Sequence, residues 1–131
     1  MVELSRIAAL KQQDYCCSQI IIKMGLEDGE REDNPELVHA AAGLCDGLHA
    51  GMVCGILSGA ALLIALYEPE RRKLLVNELV EWFREEFEAE HGGITCDDIL
   101  QDDELNRMLK CPRILAATYD KVLELLELDE P

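Results

Sequence analysis

The sequence predicts an all-α fold: a four-helix bundle-like single domain with a central Gly/Ala-rich helix and a short extra helix before the last long helix. Three observations carry this expectation. Apolar residues recur at helical spacing in four long segments, cap residues and prolines stand where helices should begin, and no useful stretch alternates apolar with polar residues. A chain of 131 residues can form one real core without covalent staples, so a single helical domain over 1–131 is expected.

Glu3 to Met24 has helical spacing of apolar residues and runs into Gly25 and the polar loop GLEDGEREDNP, which defines the first helix. The second begins after Asn34-Pro35, a cap followed by proline at the first helical position, and extends to about Tyr67 with a break allowed at its glycines. Glu68-Pro69 punctuates the chain. From Pro69 to about Glu90, Leu75, Leu79, Trp82, Phe83 and Phe87 share one stripe of an amphipathic third helix. His91-Gly92-Gly93 ends it. Thr95 with Asp98 three residues later resembles a capping box that opens a short helix, Cys96 to Leu100. Cys111-Pro112 starts the last helix, with Ile114, Leu115, Val122, Leu125 and Leu126 on its apolar face.

Asp and Glu total 27 against 12 Lys and Arg, a formal charge of −15. Nucleic acid is excluded as a partner, because that affinity rests on neutralising phosphates with basic side chains. An anionic membrane surface would be repelled for the same reason. The acidic excess points to a basic protein partner or simply to solubility. The N-terminal stretch carries Glu3, Arg6 and Lys11 and no apolar run of signal-peptide length, so a cytoplasmic location is expected. Six cysteines in a reducing compartment read as metal-binding or redox residues more readily than as structural disulfides.

Gly43, Gly47, Gly51, Gly55 and Gly59 recur at four-residue steps through the most hydrophobic stretch of the chain. On a continuous helix, Ala40, Gly43, Gly51, Cys54, Ser58, Ala61 and Ala65 all fall within about 40° of Gly47. Such a ridge lets another backbone, or a flat cofactor held by Gly47, Gly51 and Ser58, approach closely. The same ridge would also serve close helix packing or a homodimer interface. Gly47 to Tyr67 lacks charged residues and has the length of a membrane span, yet its glycines are weakly hydrophobic and the neighbouring helices are amphipathic and acidic.

Cys54 is the reactive side chain on that ridge. Cys96 and Cys111 stand at helix starts, where the positive end of the helix favours thiolate over thiol. Cys16 and Cys17 are adjacent, so on one helix their side chains diverge by about 100° and cannot both enter one site. Cys45 and His49, four apart, form a weak metal pair without a second pair to complete it.

The segments CSQIII from Cys17, GMVCGILSGAALLIAL around Cys54 and GGITCDDIL around Cys96, with the late Cys111, resemble the redox-active family named for its C, GCAxxG, C, C cysteine pattern. The resemblance spans nearly the whole chain. It implies Cys17, Cys54, Cys96 and Cys111 as the four family cysteines and leaves Cys16 and Cys45 as extras; Ile56 stands where related sequences usually carry alanine. No C-x-x-C-H is present, so covalent c-type haem is excluded.

The expectation that follows is a redox protein whose four cysteines converge, acting on an unidentified redox protein partner. They would either ligate an iron–sulfur cluster or other metal, or cycle between dithiol and disulfide. In the thiol version Cys96 or Cys111 attacks and Cys54 or Cys17 resolves. The rival from another class is a non-enzymatic helical interaction protein with buried cysteines and a glycine ridge for packing.

Overall fold

The computed structural model describes residues 2–128. Its helices are α1 (Leu4–Gln12), α2 (Cys17–Asp28), α3 (Pro35–Ala41), α4 (Gly55–Tyr67), α5 (Arg72–His91), α6 (Cys96–Leu100), α7 (Leu105–Leu109) and α8 (Cys111–Leu125). Among the described residues the one extended pairing is an isolated antiparallel bridge between Val53 and Thr95. The all-α class stands.

Capping chemistry sets several of the starts. Asn34 Oδ1 accepts from the Leu37 N–H at 3.1 Å, with Pro35 opening α3. Thr95 and Asp98 form the reciprocal capping box of α6, at 3.1 and 3.2 Å. Gly92, with φ 77°, closes α5.

Two of the four expected long helices are interrupted. The Glu3–Met24 segment is two helices, because Asp14 turns left-handed (φ 68°) and the Gln13 and Asp14 N–H groups fold back onto Leu10 and Lys11 carbonyls at 3.1 and 3.0 Å. Aspartate tolerates this basin better than most residues. The chain restarts at Cys16, the N-cap of α2, whose N–H donates to Gln19 Oε1 at 3.1 Å.

The segment from Pro35 to Tyr67 breaks more severely. After α3 and a 3₁₀ turn at Ala42–Leu44, Asp46, Gly47, Leu48 and His49 adopt φ of 53°, 63°, 62° and 54°, and Gly51 adopts 70°. The glycine ridge is therefore not a continuous helical face. A Cβ on Gly47 would lie 2.5 Å from the Met52 nitrogen, and one on Gly51 would collide with the Asp97 carboxylate. These glycines serve a left-handed turn. The turn also divides the charge-free run, leaving α4 with 13 residues. Among the described residues no helix is long and apolar enough to cross a membrane.

Close helix approach does occur, on a different face of α4. Where α4 crosses α2, a Cβ on Gly59 would stand 2.8 Å from both Ser18 Cα and Ile21 Cγ2, and Gly25 of α2 abuts the Leu63 side chain. Ile20, Ile21 and Ile22 are all fully buried, so α2 buries most of its circumference at this level and shares the centre with α4. Around this pair, α5 contributes Leu75, Leu79 and Phe83, and α8 contributes Ile114, Leu115, Tyr119 and Val122. Trp82, Phe83 and Phe87 meet edge to face. The five-residue α7, too short to show a helical period in sequence, leaves Leu105, Met108 and Leu109 exposed.

A polar link ties three helices. The Tyr119 hydroxyl donates to the Asp28 carboxylate, which also accepts from Arg6 Nη1 at 2.9 Å, while Arg6 Nη2 reaches Glu27 at 2.9 Å. Tyr119→Phe is expected to destabilise the fold by about 1–2 kcal/mol, since it removes a buried hydrogen bond to a charged acceptor. Urea denaturation checks this, and an unchanged midpoint would show that the link contributes nothing.

Candidate redox site

All six cysteines line one cavity of about 310 Å³, bounded also by Lys11, Tyr15, Asp46 and Arg107. Five segments supply them. Cys16 and Cys17 come from the start of α2, Cys45 from the end of the 3₁₀ turn, Cys54 from the N-cap of α4, and Cys96 and Cys111 from the first residues of α6 and α8. The adjacency argument against Cys16 and Cys17 sharing a site does not hold. Cys16 lies outside the helix in extended conformation (φ −89°, ψ 174°), so the helical divergence does not apply.

Cys16 and Cys45 are paired as a disulfide, with Cα atoms 6.0 Å apart, inside the usual range for such a bond. The buried Ser18 hydroxyl sits 3.2 Å from Cys16 Sγ and donates to the Ala41 carbonyl at 2.8 Å. Cys45 is thus unavailable for the Cys45/His49 metal pair, and His49 is exposed with Nε2 3.0 Å from the Ala42 carbonyl.

Cys17, Cys54, Cys96 and Cys111 are free thiols; Cys17 is partly exposed and the other three are buried. Their electrostatics differ sharply. A hydrogen bond from the Cys111 thiol holds Cys17 below its ordinary value, and the Lys11 ammonium and Arg107 guanidinium act in the same direction against burial. Cys17 is also the first residue of the 12-residue α2, where the helix N-terminus favours an anion. Cys111 is pushed up as the donor of that bond and by burial. Burial pushes Cys54 up to about 12 and raises Cys96 as well.

These pKa directions run against the helix-start argument for Cys96 and Cys111. Cys96 and Cys111 do open helices, but α6 has only five residues, and burial outweighs the small field of so short a helix. Cys111 is spent as a donor. Cys17, read from sequence as a resolving residue, is the one thiol of the four whose pKa lies below its ordinary value.

Gly47, Gly51 and Ser58, read as a cofactor-binding strip, do not line the cavity. The Ser58 hydroxyl folds back on the Cys54 and Gly55 carbonyls at 3.4 Å. Among the described residues no group of three or more His, Cys, Asp or Glu side chains is disposed to hold a metal ion. Metal ligation would require deprotonating Cys54, Cys96 and Cys111, each of which is held toward the protonated form.

Lys11 and Arg107 carry no sequence signal for this site. Lys11 reaches it only because the chain breaks after α1 and folds back. Arg107 is brought in from α7 by its ion pair with Asp46 on the left-handed turn.

Fold and cavity together define an all-α, cysteine-rich protein whose thiols converge on one pocket. The chain belongs to the C_GCAxxG_C_C family, described as "putative redox-active protein", whose model it matches over residues 15–125. No curated protein and no solved structure matches it.

Proposed function

We propose that this protein carries out thiol–disulfide exchange, with Cys17 as the attacking thiolate and Cys111 as the resolving thiol. The observation that carries the reading is the pairing of a partly exposed Cys17 with the buried Cys111 donor at one cavity. Thiolate is the nucleophilic form, and access decides which sulfur it meets first.

In the first step Cys17 Sγ attacks one sulfur of a substrate disulfide. That S–S bond breaks, a mixed disulfide forms at Cys17, and the second substrate sulfur leaves as a thiolate that takes a proton from water. Loss of the Cys17 negative charge removes the acceptor of the Cys111 proton. Cys111 then gives its proton to water and attacks Cys17, forming Cys17–Cys111 and releasing the other substrate thiolate. The substrate gains two electrons and the protein loses two. Cys54 and Cys96 stay protonated and wall the cavity.

This reading places the protein in the cytoplasm, where a disulfide beside free thiols is a working intermediate more often than a structural staple. The substrate is a disulfide on a redox protein partner or small molecule. Anaerobic purification with iron and sulfide analysis, followed by iodoacetamide alkylation across pH, tests it. The expected protein is metal-free, and Cys17 alkylates with a midpoint below the ordinary thiol value of about 8.5, because a lowered pKa leaves thiolate present at lower pH. Four sluggish thiols would favour the helical interaction protein instead. Stoichiometric iron and sulfide would replace exchange with an iron–sulfur cluster on Cys17, Cys54, Cys96 and Cys111.

A further inference from the structure

We propose that Cys16 and Cys45, which lie outside the four-cysteine family pattern, form a second redox couple that exchanges electrons directly with Cys17 and Cys111 inside the shared cavity. The inference rests on the exchange reading above and extends it from one couple to two.

Three observations carry it. Both pairs line the same cavity, so no substrate need carry electrons between them. The pairs are built alike, each with a partly exposed member at the start of α2, Cys16 or Cys17, and a buried member, Cys45 or Cys111. Cys16 and Cys17 are consecutive, and both line the cavity together with Cys45, so the Cys16–Cys45 bond opens onto the same space as the attacking thiolate.

The chemistry balances within the chain. Cys17 Sγ attacks Cys45 Sγ; the Cys16–Cys45 bond breaks, Cys17–Cys45 forms, and Cys16 departs as a thiolate. Cys16 is suited to leave, since it caps the N-terminus of a 12-residue helix and has the Ser18 hydroxyl 3.2 Å from its sulfur. Cys111 then passes its proton to the Cys16 thiolate through water and attacks Cys17, forming Cys17–Cys111. Cys45 leaves and is protonated from water. Two electrons have moved from Cys17/Cys111 to Cys16/Cys45, and no external oxidant or reductant was needed. Run in reverse, the same steps carry two electrons from reduced Cys16/Cys45 back to a Cys17–Cys111 disulfide, so the fully reduced protein reduces two equivalents of substrate disulfide where the Cys17/Cys111 pair alone reduces one.

Two variants of the full chain test this. In Cys111→Ser the resolving thiol is lost while a hydroxyl donor to Cys17 remains; acid quenching and peptide mapping of the oxidised protein should find a Cys17–Cys45 linkage. In Cys17→Ser, reduction of Cys16–Cys45 by limiting dithiothreitol should slow about tenfold, because the reductant loses its intramolecular relay. A Cys16–Cys45 bond that stays intact in the first variant, with an unchanged rate in the second, overturns the relay. If Cys17 nevertheless alkylates fast and a Cys17–Cys111 disulfide forms, the exchange reading survives that result. A sluggish Cys17 that never enters a disulfide overturns both.

Discussion

Gly59→Val is expected to destabilise the protein by about 3 kcal/mol, the upper part of the overpacking range. Helix propensity predicts the opposite sign, since replacing glycine by a residue with a Cβ removes a backbone entropy cost of about 0.5–1 kcal/mol. Steric contact decides. The new Cβ would lie 2.8 Å from Ser18 Cα and 3.0 Å from the Ser18 carbonyl oxygen, and backbone atoms of a buried helix cannot rotate away. Gly59→Ala, with fewer atoms to place, should lose less, so the two variants form a graded pair in urea denaturation. Equal midpoints for wild type and valine variant would show that α2 and α4 are not in close contact there. Ser18 directly follows Cys17, so the displacement should also slow Cys17 alkylation.

Cys111→Ala should slow alkylation of Cys17 at neutral pH, by up to about tenfold for each unit by which its pKa rises above the assay pH. The sign follows from the causes at this sulfur. The Cys111 hydrogen bond is the largest influence lowering Cys17, and without it burial, which raises a thiol, is opposed only by Lys11, Arg107 and the α2 N-terminus. The pH profile should move to higher pH while the rate on the plateau changes little. Cys111→Ser, which keeps a donor, should retain most of the wild-type rate. If alanine and serine variants both match wild type, the hydrogen bond does not activate Cys17.

How much of this was readable without coordinates varies along the chain in a physically sensible way. α3, α5, α6 and α8 were legible because each announces itself locally, through Asn34-Pro35, the Leu75 to Phe87 stripe, the Thr95/Asp98 box and the Cys111-Pro112 start. The breaks were not. Asp14 and Asp46 end helical segments by entering the left-handed basin, a choice any aspartate has and few take. The glycine spacing was misleading because the same residue type answers two demands. Gly47 and Gly51 supply backbone conformations of a turn, whereas Gly59 supplies room between helices. That Cys17, Cys54, Cys96 and Cys111 meet at one cavity was expected through the resemblance. The Cys16–Cys45 pairing was not, since cysteine connectivity is a fact of tertiary structure. The direction in which each thiol's pKa shifts was also hidden, because it depends on burial and, for Cys17, on a donor 94 positions away in the chain.

The bridge between Val53 and Thr95 has a consequence for how this protein can change. The Cys96 N–H donates to the Met52 carbonyl at 2.7 Å, and Cys54 and Cys96 each directly follow a bridged residue. The spacing of these two inward sulfurs is thus written in main-chain atoms. Val53 itself is 46% exposed, so the interior arrangement rests on its main chain rather than on its side chain.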